Sequence, residues 1–255
     1  MTLREKAQLA ERAARASGEM LEHHGDFRVR RKSENDFVTE MDYKSESLIR
    51  EMLLGACPED AFFGEETGGA TAAHGRWVVD PIDGTANFMR GQRLYTISIA
   101  YEREGELVVG CVYCPGTDEL FLAVKGEGAL LNGHPIHVSE VTDIRDAIVD
   151  LGFGHRDPKN MAGTMAVFPT LIARVSDVRR TGSAAYDMCC VASGRCEAFM
   201  ELGLSLYDYA AGYVILNEAG GRFTGWHTGE DGLASGNLLA TNGKLHETLS
   251  GILNP

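Results

Sequence analysis

The sequence has no apolar run near the roughly 20 residues that a membrane-spanning helix needs, and it is poor in positive charge. Its 24 lysines and arginines are outnumbered by 37 aspartates and glutamates, so the formal net charge is −13. A surface with that charge repels the phosphates of nucleic acids and of anionic membranes. These absences argue against a membrane protein and a nucleic-acid-binding protein, but they leave a small phosphorylated ligand open.

Signatures of several enzyme classes are also missing. The one Cys-x-x-Cys, Cys111 to Cys114, lies in the strand-like GELVVGCVYCP, without the second pair or nearby histidines of a zinc site. No histidine lies in H-E-x-x-H, and the segment 203–207, GLSLY, lacks the second glycine of a nucleophile elbow. The start, MTLREKAQLAERAARASGEML, has the spacing of an amphipathic helix and not of a signal peptide. We therefore expect six buried, reduced thiols in a cytoplasmic protein.

The order of the predicted elements divides the 255 residues into two halves. Up to about residue 142, two helices are followed by short strand-like runs separated by Gly, Asp and Pro, as in an antiparallel sheet. From residue 143, strand-like and helical segments alternate, which is typical of an α/β arrangement. The predicted halves are 1–142 and 143–255, and no repeat of 20 to 50 residues is visible.

The segment WVVDPIDGTANF (77–88) places two acids three residues apart after an apolar strand. Asp80 ends the strand, Ile82 offers a carbonyl, and Asp83 opens what looks like the N-terminus of a helix, followed by the exposed amides of Gly84 and Thr85. Carboxylates beside exposed amides suit a Mg²⁺ ion bound to a phosphate. The alternative is structural: Asp83 as a helix N-cap and Asp80 as a turn residue.

Two further acidic positions occur at comparable places. Glu65 and Glu66 lie in the glycine-rich GEETGG after the strand-like AFF, and Asp208 opens the helical YDYAAGYVILNEAGG. A solvated loop and another N-cap are the ordinary explanations. Their common placement at strand ends and helix starts favours a single shared site.

Taken together, these motifs resemble the inositol monophosphatase family of Mg²⁺-dependent, lithium-sensitive phosphatases. The resemblance rests on the segments VTEMD, GEET, WVVDPIDGTANF, RRTGSAAYDM and YDYAAGYVILNEAGG. It implies a five-layered αβαβα sandwich of mixed α+β and α/β character and a homodimer. It also implies one catalytic unit with the metal site between the two halves, where the first half supplies most ligands.

The resemblance further implies two to three Mg²⁺ ions per site, with Mn²⁺ as an alternative ion. The first ion would be held by Glu65, Asp80 and the carbonyl of Ile82. The second would be held by Asp80, Asp83 and Asp208. A third, weaker site would depend on Glu65 and water.

Catalytic and substrate roles follow from the same resemblance. Glu65 with Thr85 would position and deprotonate the attacking water, and Asp42 would lie close behind the site and tune it. Residues implied in substrate binding are Asp83, Gly84, Thr85, Gly182, Ser183, Ala184, Glu201 and Asp208. We expect Glu201 to accept hydrogen bonds from substrate hydroxyls and to repel a second phosphate; its alternative is a solvated charge at a strand end.

Inositol monophosphate is therefore the first substrate expected. Histidinol phosphate, fructose 1,6-bisphosphate and a 3′-phosphonucleotide are alternatives, and a metal-binding regulatory or scaffold protein is an alternative of another class. The sequence departs from the family pattern at Leu206-Tyr207, where many members have Pro-Trp, and at Ala86, where threonine is frequent. Since Thr85 is kept, we expect these departures to affect the substrate and not the reaction.

Overall fold

The computed structural model describes residues 1–33, 36–69 and 75–254. Its helices are α1 (Leu3–Glu22), α2 (Glu40–Ala56), α3 (Thr85–Met89), α4 (Pro158–Ile172), α5 (Ala184–Ala192), α6 (Leu206–Glu218), α7 (Gly232–Ser235) and α8 (His246–Leu253). The strands of the first half are β1 (Val29–Ser33), β2 (Asp36–Thr39), β3 (Ala61–Gly64), β4 (Gly68–Gly69), β5 (Gly75–Asp83), β6 (Thr96–Arg103), β7 (Glu106–Cys114), β8 (Glu119–Val124), β9 (Ala129–Leu131) and β10 (His134–Ile136). Those of the second half are β11 (Ile148–Leu151), β12 (Asp177–Arg179), β13 (Ala198–Glu201), β14 (Arg222–Gly225) and β15 (Leu238–Thr241).

Two large sheets organise the described residues. The first has eight strands in the order β10-β9-β8-β7-β6-β5-β3-β4, and the second has five in the order β12-β11-β13-β15-β14. The first sheet is antiparallel, as expected, except that β3 and β5 pair in parallel. The second is mixed, because β11 runs parallel to both of its neighbours and β15 antiparallel to both of its own.

The helices fill three layers around these sheets, which confirms the predicted layered sandwich. Helices α1 and α2 cover the outer face of the eight-stranded sheet, α5 and α6 lie between the sheets, and α4 and α8 cover the five-stranded sheet. Three apolar cores lie between the layers: one under α1 and α2, one around α5 and α6 that reaches both sheets, and one under α4 and α8. None of the helices in the described part of the chain is long and apolar enough to cross a bilayer.

Helix α1 is amphipathic, as its sequence spacing predicts. Its N-terminus is closed by a capping box between Thr2 and Glu5, which satisfies two backbone donors that a helix otherwise leaves unpaired. Ala10, Ala14 and Leu21 are fully buried against the sheet. The six cysteines are free and buried, as expected.

Candidate active site

Three of the predicted ligand side chains, Asp80, Asp83 and Asp208, converge in one buried cluster. One carboxylate oxygen of each lies within 4.8 Å of the others, and the residues are only 2% to 8% exposed. Asp80 and Asp83, which both belong to β5, lie on the same side because the strand is irregular between them. Asp80 pairs with Ser98 and Asp83 with Thr96, so one extra residue is accommodated at Pro81-Ile82. In a regular strand, residues three apart point to opposite faces, and a bulge of one residue removes that alternation.

The cluster is electrostatically unfavourable for a protein without bound cations. Burial, together with the charges of Glu65, Asp83 and Asp208, raises the pKa of Asp80 well above its usual value. Burial and the charge of Asp83 likewise raise the pKa of Asp208. Carboxyl groups with strongly raised pKa values cluster at functional sites, and a cation would favour their ionised forms.

Asp83 was predicted to open a helix, and the structure corrects this. Asp83 is the last residue of β5, and α3 begins at Thr85 with Gly84 as its N-cap. Consequently Asp83 is not the N-cap of α3. Instead, its Oδ2 accepts hydrogen bonds from Ser183 Oγ (2.6 Å) and the Ala185 amide (2.8 Å) at the start of α5.

Asp208 is not the N-cap that was its alternative, because the N-cap of α6 is Ser205. Asp208 is the third residue of α6, and its Oδ2 accepts a 2.6 Å hydrogen bond from the amide of the N-cap residue Ser205. This reciprocal capping box fixes the carboxylate at the helix start. Because the side chain also contributes an oxygen to the acidic cluster, capping and participation in the site do not exclude each other.

Glu65 lies on the loop after β3 and is half-buried. Its amide donates to the Val79 carbonyl of β5, and its charge contributes to the raised pKa of Asp80. The loop is held from below by Glu46 of α2, whose carboxylate accepts from the amides of Glu66 (2.8 Å) and Thr67 (3.0 Å) and from the Thr67 hydroxyl. The supporting role of Glu46 was not predicted. The sequence shows only an acidic residue in the helical segment, and its burial is seen in the structure.

Asp42 and Thr85 contact each other, and Thr85 follows the cluster residue Asp83 by two positions in the chain. The Thr85 hydroxyl is 3.2 Å from Asp42 Oδ1 and 3.0 Å from the Ile82 carbonyl, both of which accept hydrogen bonds. The other oxygen of Asp42 accepts from the amide and hydroxyl of Thr39, the N-cap of α2. Burial raises the pKa of Asp42 to about 6. Thr39 thus fixes the Asp42 carboxylate from one side, and the carboxylate can orient the Thr85 hydroxyl on its other side.

Glu201 is not the solvated charge that was its alternative. Its carboxylate lies so close to Gly152 that a Cβ there would be 2.0 Å from it, and one oxygen is 3.4 Å from the donating amide of Gly154. Burial raises the pKa of Glu201 to about 7. The side chain lines a cavity of about 110 Å³ that is also lined by Asp83 and Asp208.

The predicted substrate residues Gly182, Ser183 and Ala184 line the same cavity. The loop before α5 that carries them is held by Asn87 of α3, whose Nδ2 donates to the carbonyls of Leu94 (2.6 Å) and Thr181 (2.8 Å). Gly182 has a φ of +93° and would place a Cβ 3.1 Å from Asn87, so glycine fits here best. Gly84 does not line the cavity.

Several cavity residues were missed by the sequence reasoning. Asp187 is buried on α5 and accepts a 2.5 Å hydrogen bond from the Thr181 hydroxyl, and burial with the charge of Asp150 raises its pKa. Exposed residues that line the cavity include His155, Arg156, Asp157 and Arg180. The RRTGSAAYDM segment was a signal for Arg180 and Asp187, whereas the 152–160 loop offered none.

A model of the family described as the inositol monophosphatase family matches residues 2–254. The chain belongs to the inositol monophosphatase family. The protein of Haemophilus influenzae called Nus factor SuhB is 38% identical over 253 residues, which cover 97% of this chain and 95% of that protein. An inositol-1-monophosphatase of Mesorhizobium japonicum is 37% identical over 227 residues, covering 88% and 85%.

Solved structures of family members agree with the fold. The extragenic suppressor protein suhB of Bartonella henselae matches with a TM-score of 0.92 and 33% identity, covering 97% of each chain. The chain belongs to the inositol monophosphatase family and has inositol-1-monophosphatases among its relatives. It is therefore an enzyme of the phosphatase class.

Tyr207 occupies the position where many inositol monophosphatases have tryptophan. Its ring lies 6.0 Å from that of Phe63, and its backbone carbonyl accepts from the Ser98 hydroxyl. Burial, followed by the charges of Asp208, Glu65 and Asp80, raises the pKa of Tyr207 to about 12. Tyr207 thus packs near Phe63 and feels the charges of the acidic residues.

Proposed function

We propose that the chain hydrolyses a small phosphate monoester with Mg²⁺, most readily inositol monophosphate to inositol and phosphate. The observation that carries this proposal is the buried triad of Asp80, Asp83 and Asp208 oxygens within 4.8 Å. A cluster of like charges at that distance gains most from a cation that neutralises it.

The donor set fits Mg²⁺, because carboxylate and carbonyl oxygens are the ligands that this hard ion prefers. The proposed ligands are Glu65, Asp80, the Ile82 carbonyl, Asp83 and Asp208, for two to three ions, with Mn²⁺ as the alternative. When bound, such ions make a water more acidic and neutralise charge on the departing oxygen.

The chain's own residues supply positioning and proton transfer. We assign Thr85 to hold the attacking water: its hydroxyl has one proton, which it donates to Asp42 or to the Ile82 carbonyl, and this leaves its oxygen lone pairs for a water proton. Glu65, at the adjacent loop, accepts the proton that the water loses. The amides at Gly84 and Thr85 are proposed to bind the phosphate, which arrives at the start of α3.

On the alcohol side, Glu201, Ser183 and Ala184 are proposed to meet the substrate hydroxyls. Glu201 lines the cavity from the end of β13, together with Asp83 and Asp208. The two halves, 1–142 and 143–255, would then act as one catalytic unit, because Asp83 and Ser183 come from different halves and are hydrogen bonded.

A homodimer is also part of this proposal. Helix α4 exposes Met161 (43%), Met165 (41%) and Ile172 (49%) along one face, and an exposed apolar surface of this kind is where we propose that a second copy packs. Sedimentation would report the oligomeric state.

The reducing compartment expected from the free thiols stays a prediction.

The proposed function is tested by phosphate release from a panel of esters with and without Mg²⁺. Inositol 1-phosphate, histidinol phosphate, fructose 1,6-bisphosphate and a 3′-phosphonucleotide form the panel. We expect Mg²⁺-dependent turnover, inhibition by Li⁺, and the highest kcat/KM on inositol 1-phosphate. Release that is absent for every ester, or independent of Mg²⁺, would contradict the proposal.

A regulatory role is a second candidate, favoured by the name Nus factor that several relatives carry. This role needs no hydrolysis. If a variant that no longer hydrolyses phosphate esters still performs the regulatory role of the wild-type protein in cells, hydrolysis and regulation are separable in this chain.

A further inference from the structure

Helix α2 places two adjacent buried polar residues, Ser45 and Glu46, against the two segments that carry all but one of the proposed metal ligands. Both are at most 1% exposed. Glu46 contacts the loop after β3, which carries Glu65, and Ser45 contacts the β5 bulge between Asp80 and Asp83. No step of the proposed reaction uses either side chain, so their burial needs another explanation.

The backbone on either side of Glu65 is held by a hydrogen bond. The Glu65 amide donates to the carbonyl of Val79 (3.1 Å), the residue before Asp80 in β5. The next amide, that of Glu66, donates to Glu46 Oε2 (2.8 Å). Because both peptide groups that flank the Cα of Glu65 are planar and held in place, the direction in which its side chain leaves the backbone is fixed as well.

The loop closes tightly around the Glu46 carboxylate. Its Oε1 accepts from the Thr67 amide (3.0 Å) and the Thr67 hydroxyl (2.6 Å), so one carboxylate receives three hydrogen bonds from the loop. A Cβ on Gly64 would lie 2.4 Å from Glu46 Oε2, and glycine is therefore what lets the loop come this close. Burial of a carboxylate is costly unless hydrogen bonds stabilise it. A glutamine would present an NH₂ donor where the loop also offers donors.

Ser45 connects the same turn of α2 to the β5 bulge. Its hydroxyl donates to the carbonyl of Pro81 (3.0 Å), which can only accept. Since a hydroxyl has one proton, Ser17 of α1 donates the 2.6 Å hydrogen bond that joins Ser17 and Ser45. Neighbouring residues of one helix thus hold the loop after β3 and the bulge of β5, so α2 fixes where these two segments lie relative to each other.

We propose that Glu46 is a positioning residue for Glu65: it fixes the loop against α2 and so keeps the Glu65 carboxylate in place to bind Mg²⁺ beside Asp80. This rests on the proposed function, since it concerns a ligand of that site. With three donors on its carboxylate, Glu46 acts through the loop and is not itself a ligand.

The test is a double-mutant cycle of Glu46→Gln and Glu65→Gln in the full chain. Isothermal titration calorimetry measures Mg²⁺ binding without turnover, and phosphate release from inositol 1-phosphate gives kcat/KM. We expect Glu46→Gln alone to weaken Mg²⁺ binding about tenfold, as the loss of a partner that orients a ligand does, and to lower kcat/KM at limiting Mg²⁺. In the Glu65→Gln background the same substitution should weaken binding at most about threefold, because the residue through which it acts has already lost its charge.

Variants of the loop and of α2 supply the controls. Glu51→Gln, at an exposed position of α2, should bind Mg²⁺ as wild type does. Thr67→Val removes one of the three donors and should weaken binding about threefold, whereas Thr67→Ser should keep it. Arg50→Gln removes the other hydrogen bond of that hydroxyl (3.3 Å) and should have no effect on binding. The Thr67 variants leave the buried carboxylate in place, so they decide the question if Glu46→Gln does not fold.

Equal effects in the two backgrounds would overturn the proposal. If Glu46→Gln weakens Mg²⁺ binding by the same factor with and without Glu65, or if folded Glu46→Gln binds Mg²⁺ as tightly as wild type, Glu46 stabilises the fold without positioning Glu65, and the proposed function stands. If wild type binds Mg²⁺ but hydrolyses no ester, the proposed function fails, while the binding cycle still decides the role of Glu46. If wild type binds no Mg²⁺, both fail.

Discussion

The hydroxyl of Ser183 donates a 2.6 Å hydrogen bond to Oδ2 of Asp83. Ser183 is the N-cap of α5, and Asp83 ends β5 in the eight-stranded sheet. The same carboxylate also accepts from the Ala185 amide. One side chain of the acidic cluster is thus oriented by the start of a helix from the other half of the chain.

Ser183→Ala should weaken Mg²⁺ binding without removing a ligand. Partners that orient a ligating carboxylate typically contribute about ten- to a hundredfold in metal affinity, and the Ala185 amide still holds Asp83. We expect the half-saturating Mg²⁺ concentration to rise about tenfold. Ser193→Ala at the opposite end of α5, where the hydroxyl donates to the Cys189 carbonyl, is the control. Equal Mg²⁺ curves for both variants would disprove the orienting role.

Thr85→Ala should lower kcat much more than it raises KM. The proposed role of the hydroxyl is to position the attacking water, and groups that position or transfer protons contribute about 10² to 10⁴ in rate. Thr85→Ser keeps the hydroxyl beside Asp42 and Ile82 and should recover most of the rate. Steady-state kinetics on both variants decide the matter; an alanine variant as fast as the serine variant would exclude Thr85 from the reaction.

Mg²⁺ should stabilise the folded protein through the acidic cluster. The unfolded chain cannot assemble three carboxylates within 4.8 Å, so binding shifts the unfolding equilibrium toward the native state. Asp208→Asn should raise Tm in chelator, because one repelling charge is gone, and should reduce the Mg²⁺-induced rise. The exposed Asp146→Asn should behave as wild type. Scanning calorimetry that finds the same Mg²⁺ response in all three proteins would place the ions elsewhere.

Glu201 should make the metal-free protein less stable as pH rises. The pKa of Glu201 is raised from 4.5 to about 7 on folding, so between these values the native state holds a proton that the unfolded state has lost. Stability is therefore highest below pH 4.5 for this group and falls until about pH 7. Glu201→Gln should flatten this part of the curve, measured as urea midpoints against pH. Parallel curves for the two proteins would contradict the raised pKa.

Much of the fold could be predicted because its signals are local. The strand around Val78 and the helix with Asp208 near its start both follow from short-range patterns. Asp80, Asp83 and Asp208 were singled out because the sequence places them near a strand end or a helix start, although β5 runs on to Asp83. That placement favoured a shared site, and the assignment of each acid to an ion came from the family resemblance.

The remainder depends on tertiary structure. Asp83 was placed at a helix start because the bulge at Pro81-Ile82 has no clear local signal; it arises from pairing with β6. Arg156 lies in a loop whose course is fixed by β11 and α4, and Glu46 supports a loop about 20 residues away in sequence. None of these relationships can be recognised from residue types within a short window.

The central claim, that Asp80 belongs to a metal centre that hydrolyses phosphate esters, is tested most directly by one measurement. It is Mg²⁺-dependent phosphate release from inositol 1-phosphate by Asp80→Asn beside wild type and Asp146→Asn. We predict that Asp80→Asn loses on the order of 10³-fold in kcat/KM at saturating Mg²⁺, since an amide replaces a shared ligand worth several kcal/mol in the transition state. Asp146→Asn should match wild type, and all three should keep the same circular dichroism. Turnover by folded Asp80→Asn within a few fold of wild type would contradict the account.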